Sequence, residues 1–575
     1  MRIVRRLLIL LAVVAIGWLV VHRSRGFAPA PGSALVIDLG GKYEETADTP
    51  LFAKLAGEQK QPLLPLLSQL RMAERDARIT TVLIKVHSLS LGWGKAQELR
   101  DAIAALREKG RHPIAYVEVE GFGANLEYYV ASAAEEVWLA PATRTPFVGL
   151  AAEFLFLGGL WEKLGVQIDV ERIGEYKSAA EIFAAKEMSE PHREMANALL
   201  DSMSEQFVAG VARSRGIPEE QVRSAIDTAP MTPEGMKAAG LVTGIAYPDE
   251  ILKQRGDPPV VEAEDYARVD PSSLGFAPKA SFAVIYGAGP VQLGEARLTR
   301  EGPTLSSEPV TKALRDAADD PEIRAILFRI DSPGGSPLAS DLVWHAVQDA
   351  RRKKPVVASV SDMAASGGYY VIAGTDGLVA PPGALVGSIG VFVLRPVLGG
   401  LFEKLGVGYT ALQRGAHADL LLSGEQMSEG TRDRLREEVR STYDLFVKRV
   451  SDGRGLAPER VDAVGRGRVW TGAQGAEIGL VDSLGGLRVA TNLAKEKAGL
   501  AKDDDVLLVP YPPPRPFLEQ LRDAVSEGGV RAVGAALRAS ALPALPEPVT
   551  RLASWLASVP TGAPVLLPPI AVEIR

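Results

Sequence analysis

Ser361-Asp362-Met363-Ala364-Ala365-Ser366-Gly367-Gly368-Tyr369-Tyr370-Val371 follows a run from Pro355 to Val360 that reads as a buried strand. It leads into small and aromatic residues suited to a packed helix. A serine between alanine and Gly-Gly at a strand-to-helix turn leaves room for a substrate backbone. The first free N–H groups of the helix then point at whatever lies over it. Such a turn suits a nucleophile whose attack creates an oxyanion. It equally suits a tight helix start in which Ser366 only caps, and these eleven residues alone leave both readings open.

Working outward, the chain repeats itself. Arg78-Ile-Thr-Thr-Val-Leu-Ile-Lys-Val-His-Ser88 parallels Glu322-Ile-Arg-Ala-Ile-Leu-Phe-Arg-Ile-Asp-Ser332, and Tyr128-Tyr129-Val130 parallels Tyr369-Tyr370-Val371. Trp161-Glu-Lys-Leu-Gly-Val166 parallels Phe402-Glu-Lys-Leu-Gly-Val407, Met188-Ser-Glu190 parallels Met427-Ser-Glu429, and Gly240-Leu-Val242 parallels Gly479-Leu-Val481. The order is kept throughout and the offset stays near 240 residues, far longer than a solenoid unit, so each copy is a whole domain. Within each copy apolar strands alternate with amphipathic helices, which predicts an α/β fold. The expected division is an N-terminal segment over 1–26, a first copy over 33–255, a linker over 256–280 rich in Pro, Asp and Glu, a second copy over 281–500, and a Pro- and Ala-rich extension over 501–575.

A chain of 575 residues is too long for one core, and its 46% apolar and 23% charged content is that of a folded globular protein. A net charge of -7 spread along the chain argues against nucleic acid as a partner. No cysteine is present, which removes thiol catalysis, Cys–zinc sites and disulfides. No metal and no cofactor are expected. At the N-terminus, Arg2, Arg5 and Arg6 precede fifteen uncharged residues, Leu7 to Val21. That is slightly short of the roughly 20 that span a bilayer, so the run fits a signal-peptide core or a short anchor. His22, Arg23 and Arg25 separate it from the cleavage-like Ala28-Pro29-Ala30, and Trp18 suits the membrane interface, so a retained anchor is the reading preferred.

The two copies differ where chemistry would sit. Ser366 aligns with Asn125, Gly367-Gly368 with Leu126-Glu127, and Pro333-Gly334-Gly335 with Leu89-Ser90-Leu91. Conversely, Gly174-Glu-Tyr-Lys177-Ser178 aligns with Gly415-Ala-His-Ala418-Asp419, so Lys177 has no counterpart in the second copy. One copy holds a serine in a glycine-rich turn and the other holds a lysine.

These residues resemble the long-form signal peptide peptidase A family of membrane-anchored serine proteases with a Ser-Lys dyad. The resemblance covers about residues 34 to 500 and rests on Asp331-Ser-Pro-Gly-Gly-Ser336, Met363-Ala-Ala-Ser-Gly-Gly-Tyr369, Gly387-Ser-Ile-Gly390, Gly174-Glu-Tyr-Lys-Ser178 and Val469-Trp-Thr-Gly472. It implies tandem ClpP/crotonase-like domains behind an N-terminal membrane anchor. It implies Ser366 as nucleophile, Lys177 as general base, Ser388 as the serine that orients the lysine, and an oxyanion hole from the Gly334-Gly335 turn and the N–H of Gly367. It further implies a homotetramer on the outer, periplasmic face of a bacterial inner membrane, acting on hydrophobic peptides such as cleaved signal peptides.

The chemistry sets its own demands. Lysine is a base only when neutral, and from an ordinary pKa of about 10.4 neutralising it at pH 7 costs roughly 4 to 5 kcal/mol. Burial against apolar surface removes most of that cost, and Ala179, Ala180, Ile182 and Phe183 beside Lys177 fit such a pocket. The Gly-Gly turn could instead cradle a phosphate, but no GxxxxGK[ST] or GxGxxG pattern accompanies it. A Ser-His-Asp triad would have to draw on His345 or His417, since Gly387 to Leu394, where a ClpP-like histidine would fall, contains none. An acyl-CoA enzyme of crotonase type and a non-catalytic scaffold are the alternative functions. A dyad also requires the two copies to bring Lys177 within about 3 Å of Ser366, within one chain or between neighbours.

Overall fold

Ala34-Leu35-Val36-Ile37 and Phe282-Ala283-Val284-Ile285 are buried on both faces, as a parallel sheet covered by helices demands. In the computed structural model, which describes residues 27–45, 61–120, 124–144, 147–295 and 303–513, these runs lie in Ser33–Glu44 and Pro278–Ala288, central strands of two sheets. In the first sheet Ser33–Glu44 is followed in space by Ile79–Ser90, His112–Val117, Glu136–Leu139 and Gly244–Ile245, all parallel. In the second, Pro278–Ala288 is followed in the same manner by Ile323–Ser332, Val356–Ala365, Gly377–Ala380 and Ser483–Leu484. The sequence repeat is therefore a repeat of topology, with strands in the same order in both copies.

The sheet edges depart from the expected boundaries. Val260–Glu262, assigned above to a linker, pairs in parallel with Ser33–Glu44, and Tyr266 just after it is fully buried. Asp505–Pro510, assigned above to the C-terminal extension, pairs in parallel with Pro278–Ala288. Both are the last strand of their copy, short and flanked by Pro and Asp, so composition hides them. The apolar run 7–21 and the segments beyond residue 513 fall outside the described residues. Among the described residues no helix is long and apolar enough to cross a membrane.

Two of the contacts between the copies bear on the site. Gln167–Ile173 from the first pairs antiparallel with Val391–Val397 from the second, in unbroken register from Ile173↔Val391 to Gln167↔Val397. Ion pairs reinforce this ribbon: Arg395 meets Asp169 at 3.0 Å, and Arg432 meets Asp169 at 3.1 Å and Glu171 at 2.8 Å. Second, the helix Trp93–Glu108 of the first copy lies against the ends of Ile323–Ser332 and Val356–Ala365. There Arg329 grips Glu98 through two bonds of 2.8 and 2.7 Å, and Glu45 through bonds of 2.8 and 3.2 Å. All three side chains are buried.

Removing one partner of a buried ion pair is costlier than never having built it, because the other charge stays buried. Arg329→Met leaves Glu45 and Glu98 facing each other and is expected to cost about 3–5 kcal/mol. The urea midpoint of the full chain should fall accordingly, with the denaturant slope unchanged.

Candidate active site

Val356–Ala365 ends at Ser366, and Gly367–Ile372 begins the helix that follows. Ser366 sits at φ 53° and ψ −116°, a conformation that costs a non-glycine residue about 1–3 kcal/mol. Its backbone is pinned there: its N–H donates to Gly387 O at 2.7 Å and its C=O accepts from Tyr370 N–H at 2.8 Å. Tight packing around the turn explains the glycines. A Cβ on Gly368 would lie 2.6 Å from Ser332 O, and one on Gly367 would lie 2.7 Å from Ser340 Oγ and 3.0 Å from Gly335 N.

The second half of the turn comes from the neighbouring strand. Ile323–Ser332 runs into Pro333-Gly334-Gly335, where both glycines have positive φ, 100° and 155°. A side chain at Gly335 would strike Val291 O at 2.2 Å. Gly334 donates its N–H to Ser332 Oγ at 3.2 Å and its C=O accepts from Val291 N–H at 2.8 Å, so its part is to shape the turn. The N–H of Gly335 and that of Gly367, first in its helix, are left close together beside Ser366.

Lys177 arrives from the other copy. The ribbon strand Gln167–Ile173 leads to it on one side, and Ser388 lies just before the partner strand Val391–Val397 on the other. Zipping the ribbon in this register therefore brings both to Ser366. Lys177 Nζ lies 2.8 Å from Ser366 Oγ, 2.9 Å from Ser388 Oγ and 3.0 Å from Ser388 O, all within one chain. Lys177, Ser366 and Ser388 are each completely buried. Ala179, Ala180, Ile182 and Phe183 join Phe392 and Leu394 in an apolar cluster beside the lysine. This burial holds the amine well below its ordinary pKa of 10.5, with no charge contributing. A neutral amine has two N–H donors and one lone pair. In that form, donors directed to the two oxygens of Ser388 would leave the lone pair for the Ser366 hydroxyl.

Several further groups shape the lysine's surroundings. A Cβ on Gly467 would lie 2.4 Å from Lys177 N, and one on Gly390 would lie 3.1 Å from Lys177 Cδ, so both glycines make room for the lysine. Tyr176 N–H donates to Arg466 O at 3.1 Å, tying the lysine turn to the second copy. Ser388 has φ 52° and donates its N–H to Arg468 O at 2.7 Å. Behind the lysine, Arg172 Nη1 donates to Lys177 O at 3.2 Å and to Glu181 Oε1 at 2.8 Å. Burial opposes ionisation of Glu181, yet bonds from His192, Arg172 and Ser189 bring its carboxyl down to about 2. The histidines of a would-be triad lie elsewhere. His345 Nε2 is 3.5 Å from Asp349 on an exposed helix face, and His417 Nδ1 meets Thr431 Oγ1 at 3.1 Å.

A buried amine held well below its ordinary pKa against a hydroxyl, with two backbone amides beside it, is an arrangement that can deprotonate that hydroxyl and stabilise an oxyanion formed on its attack. Comparisons with known proteins agree with this chemistry. The model of peptidase family S49 matches residues 107–257 and 348–501, once in each copy. The chain is 33% identical over 506 residues to the chloroplastic serine protease SPPA of Arabidopsis thaliana, covering 86% of this chain and 73% of that one. It is 28% identical over 557 residues to Protease 4 of Salmonella typhi, covering 91% and 87%. A putative signal peptide peptidase SppA of Enterococcus faecium is 36% identical over 188 residues, covering 32% of this chain and 54% of that one. With two family matches spanning half of its length and serine proteases aligned along most of it, this chain belongs to peptidase family S49 and is a serine protease.

Proposed function

We propose that the chain is a membrane-tethered endopeptidase in which Ser366 and Lys177 form the catalytic dyad, on tandem domains of ClpP/crotonase type. The 2.8 Å approach of Lys177 Nζ to Ser366 Oγ in an apolar pocket carries this reading. As Oγ bonds to the scissile carbonyl carbon, its proton passes to the Lys177 lone pair. The carbonyl oxygen becomes an oxyanion held by the N–H groups of Gly335 and Gly367. The resulting ammonium then protonates the leaving amine nitrogen, and the C–N bond breaks to give an acyl-enzyme. Neutral again, Lys177 takes a proton from water as that water attacks the ester, then returns it to Ser366 Oγ as the ester C–O bond breaks, which frees the carboxylic acid and restores the dyad. Ser388 fixes the amine's two donors throughout.

The substrates proposed are cleaved signal peptides and other unfolded hydrophobic peptides. The name of the Enterococcus relative supports this class. So does the apolar pocket, which an apolar peptide would keep dry. The Leu7–Val21 run would hold the body at the outer face of a bacterial inner membrane, where such peptides are released.

A homotetramer is the assembly proposed, and the repeat supports a head-to-tail ring. In the first copy the helix Trp93–Glu108 is seated on the second copy, with Gly94 and Glu98 in the contact. Their counterparts on the helix Pro337–Arg351, Leu338 and Leu342, are 58% and 44% exposed. On the first copy, Lys85 and His87, counterparts of the contact residues Arg329 and Asp331, are part-exposed and pair with Asp38 and Glu118 of their own copy. Each chain thus offers both unused halves of the contact it makes internally. Leu342→Asp should reduce the light-scattering mass of the detergent-solubilised protein from four chains to one. An unchanged mass would remove this face from the assembly.

Replacing Lys177 by Met, or Ser366 by Ala, should lower kcat/KM on a peptide substrate by roughly four orders of magnitude and abolish fluorophosphonate labelling. His345→Ala and His417→Ala should retain both; loss in either histidine variant with labelling preserved in Lys177→Met would sink the dyad.

The dyad also fixes a pH dependence. Because Lys177 must be neutral, kcat/KM should rise with pH through one ionisation below 10.5 and then flatten. Stability follows the same group with a definite sign. The folded state binds this proton less tightly than the unfolded state, so the penalty is full below the folded pKa and vanishes as pH passes 10.5. Lys177→Met escapes the penalty. Its stability advantage in urea should be largest at low pH and shrink by about 1.4 kcal/mol per pH unit across the window.

A further inference from the structure

The first copy sends a second lysine into the second copy. Lys95 stands on the helix Trp93–Glu108 and is buried, with its side chain 5% exposed. Its Nζ contacts Asp331, bonds to Asp362 Oδ2 at 2.6 Å and lies 3.6 Å from Glu45. The same Asp362 caps the helix that carries Lys95: its carboxylate accepts the N–H of Gly92 at 3.1 Å and of Lys95 at 2.8 Å. Burial opposes the charge on Lys95, but the three carboxylates hold it protonated. Gly94 is what lets the helix come so near, since a Cβ there would lie 2.1 Å from Ser361 O.

The position of the two aspartates gives this contact its meaning. Asp331 lies four residues before Gly335, and Asp362 four residues before Ser366. Between them the sheet is irregular. Ile330 pairs with Val360, but the next pair is Ser332 with Ala364, so one strand advances two residues while its neighbour advances four. Pairing resumes at Ser332 and Ala364, but within the bulge Asp331 and Asp362 are not paired with each other's strand. Two carboxylates face each other there, and burial pushes the Asp331 carboxyl up to about 6 despite Lys95. Without a cation between them they would repel.

We propose that Lys95 is a positioning residue that sets the oxyanion turn against the nucleophile turn by bridging Asp331 and Asp362 across the bulge. It touches no reacting atom. It acts by fixing the distance between two strand ends, one leading to the Gly335 amide and the other to Ser366 and the Gly367 amide. Counting on from the aligned Leu91 and Gly335, its counterpart in the second copy is Ala339, so the bridge, like Lys177, is supplied by the copy without the serine. This inference rests on the dyad proposed above. Labelling of the wild-type protein tests that dyad alone, and the ratio of variant to wild type tests Lys95.

The test is the rate at which a fluorophosphonate probe labels Ser366 in the full-length, detergent-solubilised protein, beside its thermal midpoint. Lys95→Met should lower the maximal labelling rate by about 100-fold, the scale of a misplacement of about 1 Å, with the half-saturating probe concentration changed less than about threefold. The pH at which labelling is half-maximal should stay where it is, since Lys177 keeps its surroundings. Lys95→Arg keeps the charge but not the shape, and should restore the thermal midpoint without restoring the rate. Wild-type labelling by folded Lys95→Met, full recovery by Lys95→Arg, or a shifted pH midpoint would each overturn the proposal. If Lys95→Met does not fold, Lys95→Arg decides by itself: slow labelling in a folded protein supports positioning, and a wild-type rate overturns it.

Discussion

A lysine amine buried inside the protein, away from any compensating charge, is the constraint on which the rest of this structure depends. Lys177 is lowered well below its ordinary pKa by burial alone, which means that the folded state bears the cost at every pH where the free amine would be charged. No charge beside the lysine offsets that cost. It is offset by the surfaces that enclose the pocket, and those belong to both copies: Ala179, Ile182 and Phe183 from one, Phe392 and Leu394 from the other. The ribbon between Gln167–Ile173 and Val391–Val397 closes the pocket and sets its register in one step. A slip of one residue would turn each strand's side chains to the opposite face and carry Lys177 away from Ser388. The ion pairs of Asp169 and Glu171 with Arg395 and Arg432 oppose that slip.

The same logic explains the strained serines. Ser366 and Ser388 both have φ near 50°, a region that disfavours any side chain. Each is held by a short backbone bond, Ser366 N–H to Gly387 O and Ser388 N–H to Arg468 O, both 2.7 Å. The two bonds link in series, because Gly387 and Ser388 are adjacent and Arg468 leads into the strand Val469–Thr471. Val469–Thr471 in turn pairs with Leu385–Gly387. Local conformational cost at the hydroxyls is thus met by a small sheet outside the reacting atoms, which presents them in one orientation before any substrate arrives.

Much of this was readable in the chain, and the reason is the duplication. Ser366 and Lys177 declare themselves because each survives where its counterpart became Asn125 or Ala418. The order of the sheets follows from long apolar runs that need burial on both faces. What could not be read depends on close approach between residues far apart in the chain. Gly467 is one of 57 glycines until Lys177 N is found 2.4 Å from where its Cβ would stand. Lys95, Asp331 and Asp362 look like ordinary surface charges in sequence, because burial of a charge is decided by partners 236 and 267 positions away. The terminal strands Val260–Glu262 and Asp505–Pro510 escaped for a different reason. They are too short for periodicity to register, and neighbours already in place hold them. Whether lysine and serine pair within a chain depends on ribbon register, which no local pattern encodes.

The first copy shows what becomes of such a site once the serine is lost. Asn125, at the position of Ser366, donates from its amide to Gly149 O at 2.8 Å. Glu127 takes the place of Gly368, where the second copy has no space for even a Cβ, and its carboxylate accepts the N–H of Leu89 at 2.8 Å. Leu89 occupies the start of the turn that in the second copy is Pro333-Gly334-Gly335. A backbone donor at that strand end is therefore occupied from within by a side chain. Burial raises the pKa of Glu127, although the bond from Leu89 lowers it. Freed from holding a substrate, the first copy keeps a rigid sheet end and an adjoining helix. These are what is needed to deliver Lys177 along one edge of the second copy and Lys95 along another.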